Sequence, residues 1–142
     1  MTNGISSGTV EVQCSDLTGP ALDWSVAKVE GIEVSWRYGR ELVKVCDGGG
    51  IKLIESIRSI YSPSTNWAQG GPLVSKYQLD LTFEREGLMY AYQCQDDGLP
   101  IIVTEDTFGS YGSTHLIAAC RAIVAARLGE VVSVPAELVE NK

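Results

Sequence analysis

The sequence predicts an α+β protein, and three observations carry that prediction. Residues about 16–30 and about 113–128 place apolar side chains at helical spacing between a capping residue and a glycine. Two stretches, Ile32–Val45 and Leu79–Tyr92, alternate apolar and polar residues around a glycine-containing turn, the pattern of antiparallel hairpins. The 142 residues suffice for one domain spanning 1–142, with a flexible start over 1–8. The expected architecture is a small α/β sandwich: an antiparallel sheet of about four to six strands, two main helices and a short helix near 72–77.

Val10, Val12 and Cys14 alternate with Glu11 and Gln13, which predicts a short first strand. Asp16 opens the first helix, which runs to about Glu30, with Pro20 tolerated in the first turn and Gly31 ending it. Leu22, Val26 and Val29 form one apolar stripe, and Leu17, Ala21 and Trp24 a second. Asp16, Asp23 and Glu30, at seven-residue spacing, read as the solvated face between them. In the first hairpin Gly39-Arg40 fits a two-residue turn. That register sets Trp36 opposite Val43 and Val34 opposite Val45.

Asp47 and glycines 48–50 mark a loose turn, and residues 51–60 suit either a strand or a short helix. Tyr61–Pro72, reading YSPSTNWAQGGP, is uncharged and rich in turn formers, so it reads as a loop held by its own hydrogen bonds. Its Gly-Gly-Pro end launches one or two helical turns over Pro72–Tyr77. Glu86-Gly87 breaks the second hairpin, and 95–112 reads as a long loop with room for a small strand at Ile101–Val103.

Ser113 is the expected N-cap of the last helix and Gly129 its C-cap. Leu116, Ile117, Cys120, Ile123, Val124 and Leu128 make a bulky face. Ala118, Ala119, Ala122, Ala125 and Ala126 make a small one, suited to solvent or to close packing on another helix or a second subunit. Val132, Val134 and Leu138 predict a short terminal strand or strap.

Lys plus Arg is 11 and Asp plus Glu is 18, a net charge of -7, which disfavours duplex nucleic acid as a partner. The 44% hydrophobic and 20% charged fractions are those of a soluble protein. No apolar run approaches bilayer-spanning length, and residues 1–9 lack the basic and apolar parts of a signal peptide, so the cytoplasm is the expected compartment. Cys14, Cys46, Cys94 and Cys120 are widely spaced, which predicts reduced, partly buried thiols. With a single histidine, no metal site or cofactor is expected.

Phosphate-binding and nucleophile-elbow motifs are absent. His115 lies near a helix start, whose positive end disfavours an imidazolium. The acids Asp96-Asp97 and Glu105-Asp106 lack calcium-loop spacing. No catalytic constellation stands out, and a non-enzymatic protein is expected.

Three blocks then stand out in order: Leu17-Thr18-Gly19-Pro20-Ala21-Leu22-Asp23-Trp24-Ser25-Val26-Ala27, Tyr61–Pro72, and Leu116-Ile117-Ala118-Ala119 with Arg121. In these the chain resembles small phage and prophage proteins labelled NinX-like, related to the phage ABA sandwich domain. The resemblance implies a small α/β sandwich and a phage or prophage accessory protein, with no established activity.

The leading functional expectation is a binding protein whose partner is a host or phage protein. Its surface would be the 61–72 loop together with the start of the last helix. Tyr61 and Trp67 would stack on the partner, and Ser62, Ser64, Asn66 and Gln69 would supply neutral donors and acceptors. The opposing reading has those polar groups bonded to their own backbone and Trp67 filling the core. A second function is sequestration of a nucleotide-like small molecule, with Arg37, Arg40 or Arg121 meeting phosphate. The alanine face or a free sheet edge would also allow a homodimer.

Overall fold

The computed structural model describes residues 8–37, 39–48, 51–54, 60–94 and 109–139. The α+β class is confirmed. Helix α1 spans Gly19–Glu30, α2 spans Trp67–Lys76 and α3 spans His115–Leu128. The strands are distributed over three small antiparallel sheets rather than gathered into one. Strand β1 (Thr9–Gln13) pairs with β8 (Val131–Pro135). Strands β2 (Val34–Arg37), β3 (Glu41–Gly48) and β4 (Ile51–Ile54) form a second sheet, and β5 (Leu79–Arg85), β6 (Leu88–Gln93) and β7 (Gly109–Gly112) a third. Of the expected flexible start, residues 1–7 lie outside the described residues, while the Gly8 carbonyl already accepts the Ala136 N–H at 2.9 Å.

Helix α1 begins later than Asp16, because Cys14–Asp16 close a separate 3-10 turn and Thr18, in extended conformation, becomes the N-cap. Gly31 ends the helix at φ 72, a left-handed conformation that glycine adopts without steric cost. The first hairpin is shifted by one residue from the expected register. Gly39 and Arg40 lie in the turn, Gly39 has φ 66, and the Arg40 N–H closes on the Arg37 carbonyl at 3.1 Å. Trp36 therefore faces Leu42, both buried, and Val34 faces Lys44. Val43 turns to the other side, where it bridges to Ile60. Residues 51–54 resolve as a strand on β3, and 55–59 lie outside the described residues.

The Gly-Gly-Pro stop is overturned: Gly70, Gly71 and Pro72 all lie inside α2, which starts at Trp67 instead of near 72. Asn66 caps it by accepting the Ala68 N–H at 2.9 Å. A Cβ on Gly70 would come 2.3 Å from the Pro63 carbonyl oxygen and 2.8 Å from Leu116 Cδ2, so this glycine lets α2 lie directly on the loop and on α3. Residues 109–112, expected as loop, form β7 for the same reason. A Cβ on Gly109 would sit 2.0 Å from the Ala91 carbonyl oxygen, and one on Gly112 2.5 Å from the Ala118 nitrogen. Glycines that read as loop signals are positions of close approach. Residues 95–108, including the small strand expected at 101–103, lie outside the described residues.

Helix α3 is capped one residue later than expected, by Thr114, whose Oγ1 accepts the Ile117 N–H at 3.1 Å. Its bulky side chains Cys120, Ile123 and Val124 enter the main core with Leu17, Leu22, Val26, Trp36, Val132 and Val134. On its small side Ala118, Ala119 and Ala122 pack against Met89 and Ala91 of β6, flanked by Val74, Leu79 and Leu81. The chain's own sheet covers these three alanines, while Ala125 lies in the main core and Ala126 is exposed. The close approach at α2 yields a paired expectation. Gly70→Ala should lower stability by about 1–3 kcal/mol through overpacking. Gly71→Ala, whose Cβ would meet only Trp67 Cε3 at 3.6 Å, should be neutral or stabilising. Urea denaturation of the two variants checks both.

Candidate functional site

The loop before α2 is fixed through its main chain. The Tyr61 N–H donates to the Leu42 carbonyl at 2.7 Å, which ties the loop to β3. The Ser62 carbonyl takes the N–H groups of Thr65 at 3.1 Å and Asn66 at 2.9 Å. Gln69, one turn into α2, reaches back as a clamp: its Oε1 accepts the Ser62 N–H at 2.6 Å and its Nε2 donates to the Ile60 carbonyl at 2.7 Å. Tyr61 is buried in the main core, and burial pushes its phenol well above the ordinary range.

Asp23 corrects the sequence reading. Expected on a solvated acidic line, it is only 5% exposed, and its Oδ1 accepts the Ser64 N–H at 2.8 Å. Burial raises its carboxyl from the ordinary 3.8 to about 6, against the opposing effect of that N–H. The Ser64 hydroxyl, in a residue 1% exposed, lies near enough to favour the ionised carboxyl. It falls short of a well-formed hydrogen bond, and its oxygen has no partner among the described residues. Glu30 is not solvated either: it accepts Lys76 Nζ at 3.0 Å and the Tyr77 hydroxyl. Only Asp16 of the three acids is exposed.

The remaining expected site residues divide. Asn66 and Gln69 serve the loop's own backbone, as does Ser62 through its main chain, and Tyr61 belongs to the core. Arg121 is a structural bracket, donating from Nε to the Leu17 carbonyl at 2.9 Å and from Nη1 to the Tyr111 carbonyl at 2.8 Å. Arg37 lies on β2 opposite Glu41. Trp67, in contrast to the core-filling reading, is 56% exposed.

Trp67 stands at the edge of a cleft of about 430 Å³ between the loop and the starts of α2 and α3. Ser64, Thr65, Ser113 and Thr114 supply the polar lining, Met89, Leu116 and Ile117 the apolar lining, and His115 one imidazole. None of these described lining residues is Asp, Glu, Lys or Arg. Phe83 pairs directly with Met89 across β5 and β6, so the two share a sheet face. At 61% exposed, Phe83 extends the apolar surface from Met89. The sequence reading joined the loop to the start of α3 but did not single out Met89 or Phe83. Both sit in an ordinary alternating hairpin, and nothing in that pattern shows where α3 stops covering the sheet.

A second cleft of about 430 Å³ lies where the C-terminal ends of all three helices meet, lined by Lys28, Val29, Lys76, Tyr77, Arg127 and Leu128. Each helix carries one cation in its last turn. Lys28 lies 5.4 Å from the Trp24 ring and Arg127 lies 5.2 Å from the Tyr77 ring. Three helix ends contribute about -0.5 each and Glu30 a further unit, against three cations, leaving roughly half a positive charge. The cations compensate the helix ends, and the surplus is too small to make an oxyanion pocket.

The thiols of Cys14 and Cys120 are held in their protonated form by burial. Cys14 is pushed up to about 11 by burial and Cys120 further, and Cys14 Sγ donates to the Arg121 carbonyl at 3.2 Å. The Cys46 side chain lies outside the described residues. Among the described residues no three His, Cys, Asp or Glu side chains gather as a metal site. No helix among them is long and apolar enough to cross a membrane.

The family model described as "Bacteriophage P22, NinX" matches residues 13–127, which include the loop, Asp23 and the cleft lining. No curated protein matches the chain. For the clamp, Gln69→Ala leaves the Ser62 N–H and the Ile60 carbonyl without their partner. It should cost about 1–3 kcal/mol, measurable by denaturant unfolding.

Proposed function

The chain belongs to the NinX family of bacteriophage P22, and from that premise we propose that it is a phage accessory protein that acts by non-enzymatic binding. We place its action in the cytoplasm of the infected bacterium and its binding surface at the cleft between the starts of α2 and α3. One observation carries this reading: Trp67 and Met89 line the same cleft, Phe83 pairs with Met89 on its sheet face, and Trp67 and Phe83 are the most exposed of the large apolar side chains described. An exposed tryptophan beside an apolar floor is the usual composition of an energetic anchor at a protein interface.

The uncharged lining suits a neutral, partly apolar segment of a host or phage protein. A nucleotide-like ligand is less well served. The described lining holds no arginine or lysine, and Arg121 already donates to two carbonyls. The non-enzymatic reading draws support from the raised thiols of Cys14 and Cys120, the opposite of an activated nucleophile.

Affinity purification of the tagged chain from phage-infected cells tests the proposal. A co-purifying protein should fall about tenfold or more in recovery with Trp67→Ala or Phe83→Ala, a loss of about 1.4 kcal/mol or more. Lys44→Ala, an exposed position on β3, should leave recovery unchanged. Recovery insensitive to both aromatic variants removes the cleft from consideration. A small molecule released from the denatured protein, with no co-purifying partner, favours sequestration instead.

A further inference from the structure

We propose that Asp23 makes the loop over residues 60–66, and with it the Ser64 and Thr65 wall of the cleft, sensitive to protons: the wall is fastened when Asp23 is protonated and loosened when it is ionised. The proposal stands independently of the binding reading, because it concerns the state of the wall and not what occupies the cleft.

The geometry places a carboxyl of α1, 5% exposed, against the main chain of a loop that reaches it through the Ser64 N–H. Beside it lies the buried Ser64 hydroxyl, whose oxygen has no described partner. Two protonation states fit this pair. In the acid form one carboxyl oxygen accepts the Ser64 N–H, while the other, as O–H, can donate to the free lone pairs of Ser64 Oγ. Both groups are then satisfied without charge. In the ionised form the proton has left to solvent. Among the described residues the carboxylate, 5% exposed, is then held by the Ser64 N–H and the nearby hydroxyl.

The groups that face Asp23 do not offset that charge. From the loop comes the Tyr61 phenol and from α3 the Cys120 thiol, and burial keeps both protonated through neutral pH. Glu30, on Asp23's own helix, acts on Tyr61 with a charge of the same sign as ionised Asp23, and is itself paired with Lys76. Desolvation of the charge is therefore the dominant effect, consistent with a carboxyl raised from 3.8 to about 6. The sign follows by linkage. A raised carboxyl stabilises the folded wall fully below the unfolded value near 3.8, and this stabilisation is lost as pH rises through about 6.

The test uses the full chain labelled with ¹³C at aspartate carboxyl groups and ¹⁵N at amides. Asp23 should titrate with a midpoint near 6 in the unsubstituted protein. Corrected for intrinsic exchange, protection of the Ser64 amide should fall about tenfold between about pH 5 and about pH 8. In Asp23→Asn, which keeps an acceptor for the Ser64 N–H without a titrating proton, protection should stay flat across that range. A midpoint near or below the ordinary value, or equal pH dependence in the two proteins, overturns the proposal. If Asp23→Asn does not fold, the carboxyl midpoint and the Ser64 protection profile of the unsubstituted chain decide it alone.

Discussion

Helix α3 is narrow on one side and broad on the other, and the remaining elements take their places from that asymmetry. Its broad side carries Ile123, Val124 and Cys120 into the main core, where each large aliphatic side chain buried contributes about 1.5–3 kcal/mol. Its narrow side presents only methyl groups, so β6 and β7 approach until Gly112 lies against the backbone of Ala118. A helix packed on both sides separates what it packs against. The β5–β6–β7 sheet therefore remains distinct from the strands that close the main core, and three small sheets replace the single one that the alternation suggested.

Much of this was legible in the sequence. The bulky side of α3, the small side at Ala118, Ala119 and Ala122, the Gly31 stop, the second hairpin and a terminal strand at Val132 and Val134 all follow from spacing and local conformation. Other features depend on contacts between segments far apart in the chain. The hairpin register sets Trp36 opposite Leu42, and Val43 forms an antiparallel bridge with Ile60 from outside the hairpin. Gly70, Gly109 and Gly112 carry no local sign that something presses on them, so they read as breakers.

The candidate site divides along the same line. The loop's self-bonding could be read from its amides and hydroxyls, and its neighbourhood with the start of α3 was anticipated. Asp23 could not be assigned in the same way. Seven-residue spacing with Asp16 and Glu30 is a helical pattern, and only the arrival of the loop over α1 makes its middle member a buried acceptor. Trp67 shows the reverse: the sequence left it open between stacking on a partner and filling the core, and as the first residue of α2 it is exposed.

The contacts that shape this loop share one property. Leu42, Asp23 and Gln69 all bind its main chain, at the Tyr61, Ser64 and Ser62 N–H groups and the Ile60 carbonyl. The mount is thus largely indifferent to what the loop displays. Thr65 is exposed, and its side chain reaches only the Ser62 carbonyl at 3.4 Å; position 64 asks for a small residue with an N–H. Outward-facing position 65 can be redecorated without disturbing the fold, whereas exposed Asn66 is kept by its cap on α2, and proline must stay out of 61, 62, 64, 65 and 66, whose N–H groups are all used. A lineage under pressure to track a changing counterpart could revise the display while inheriting the mount.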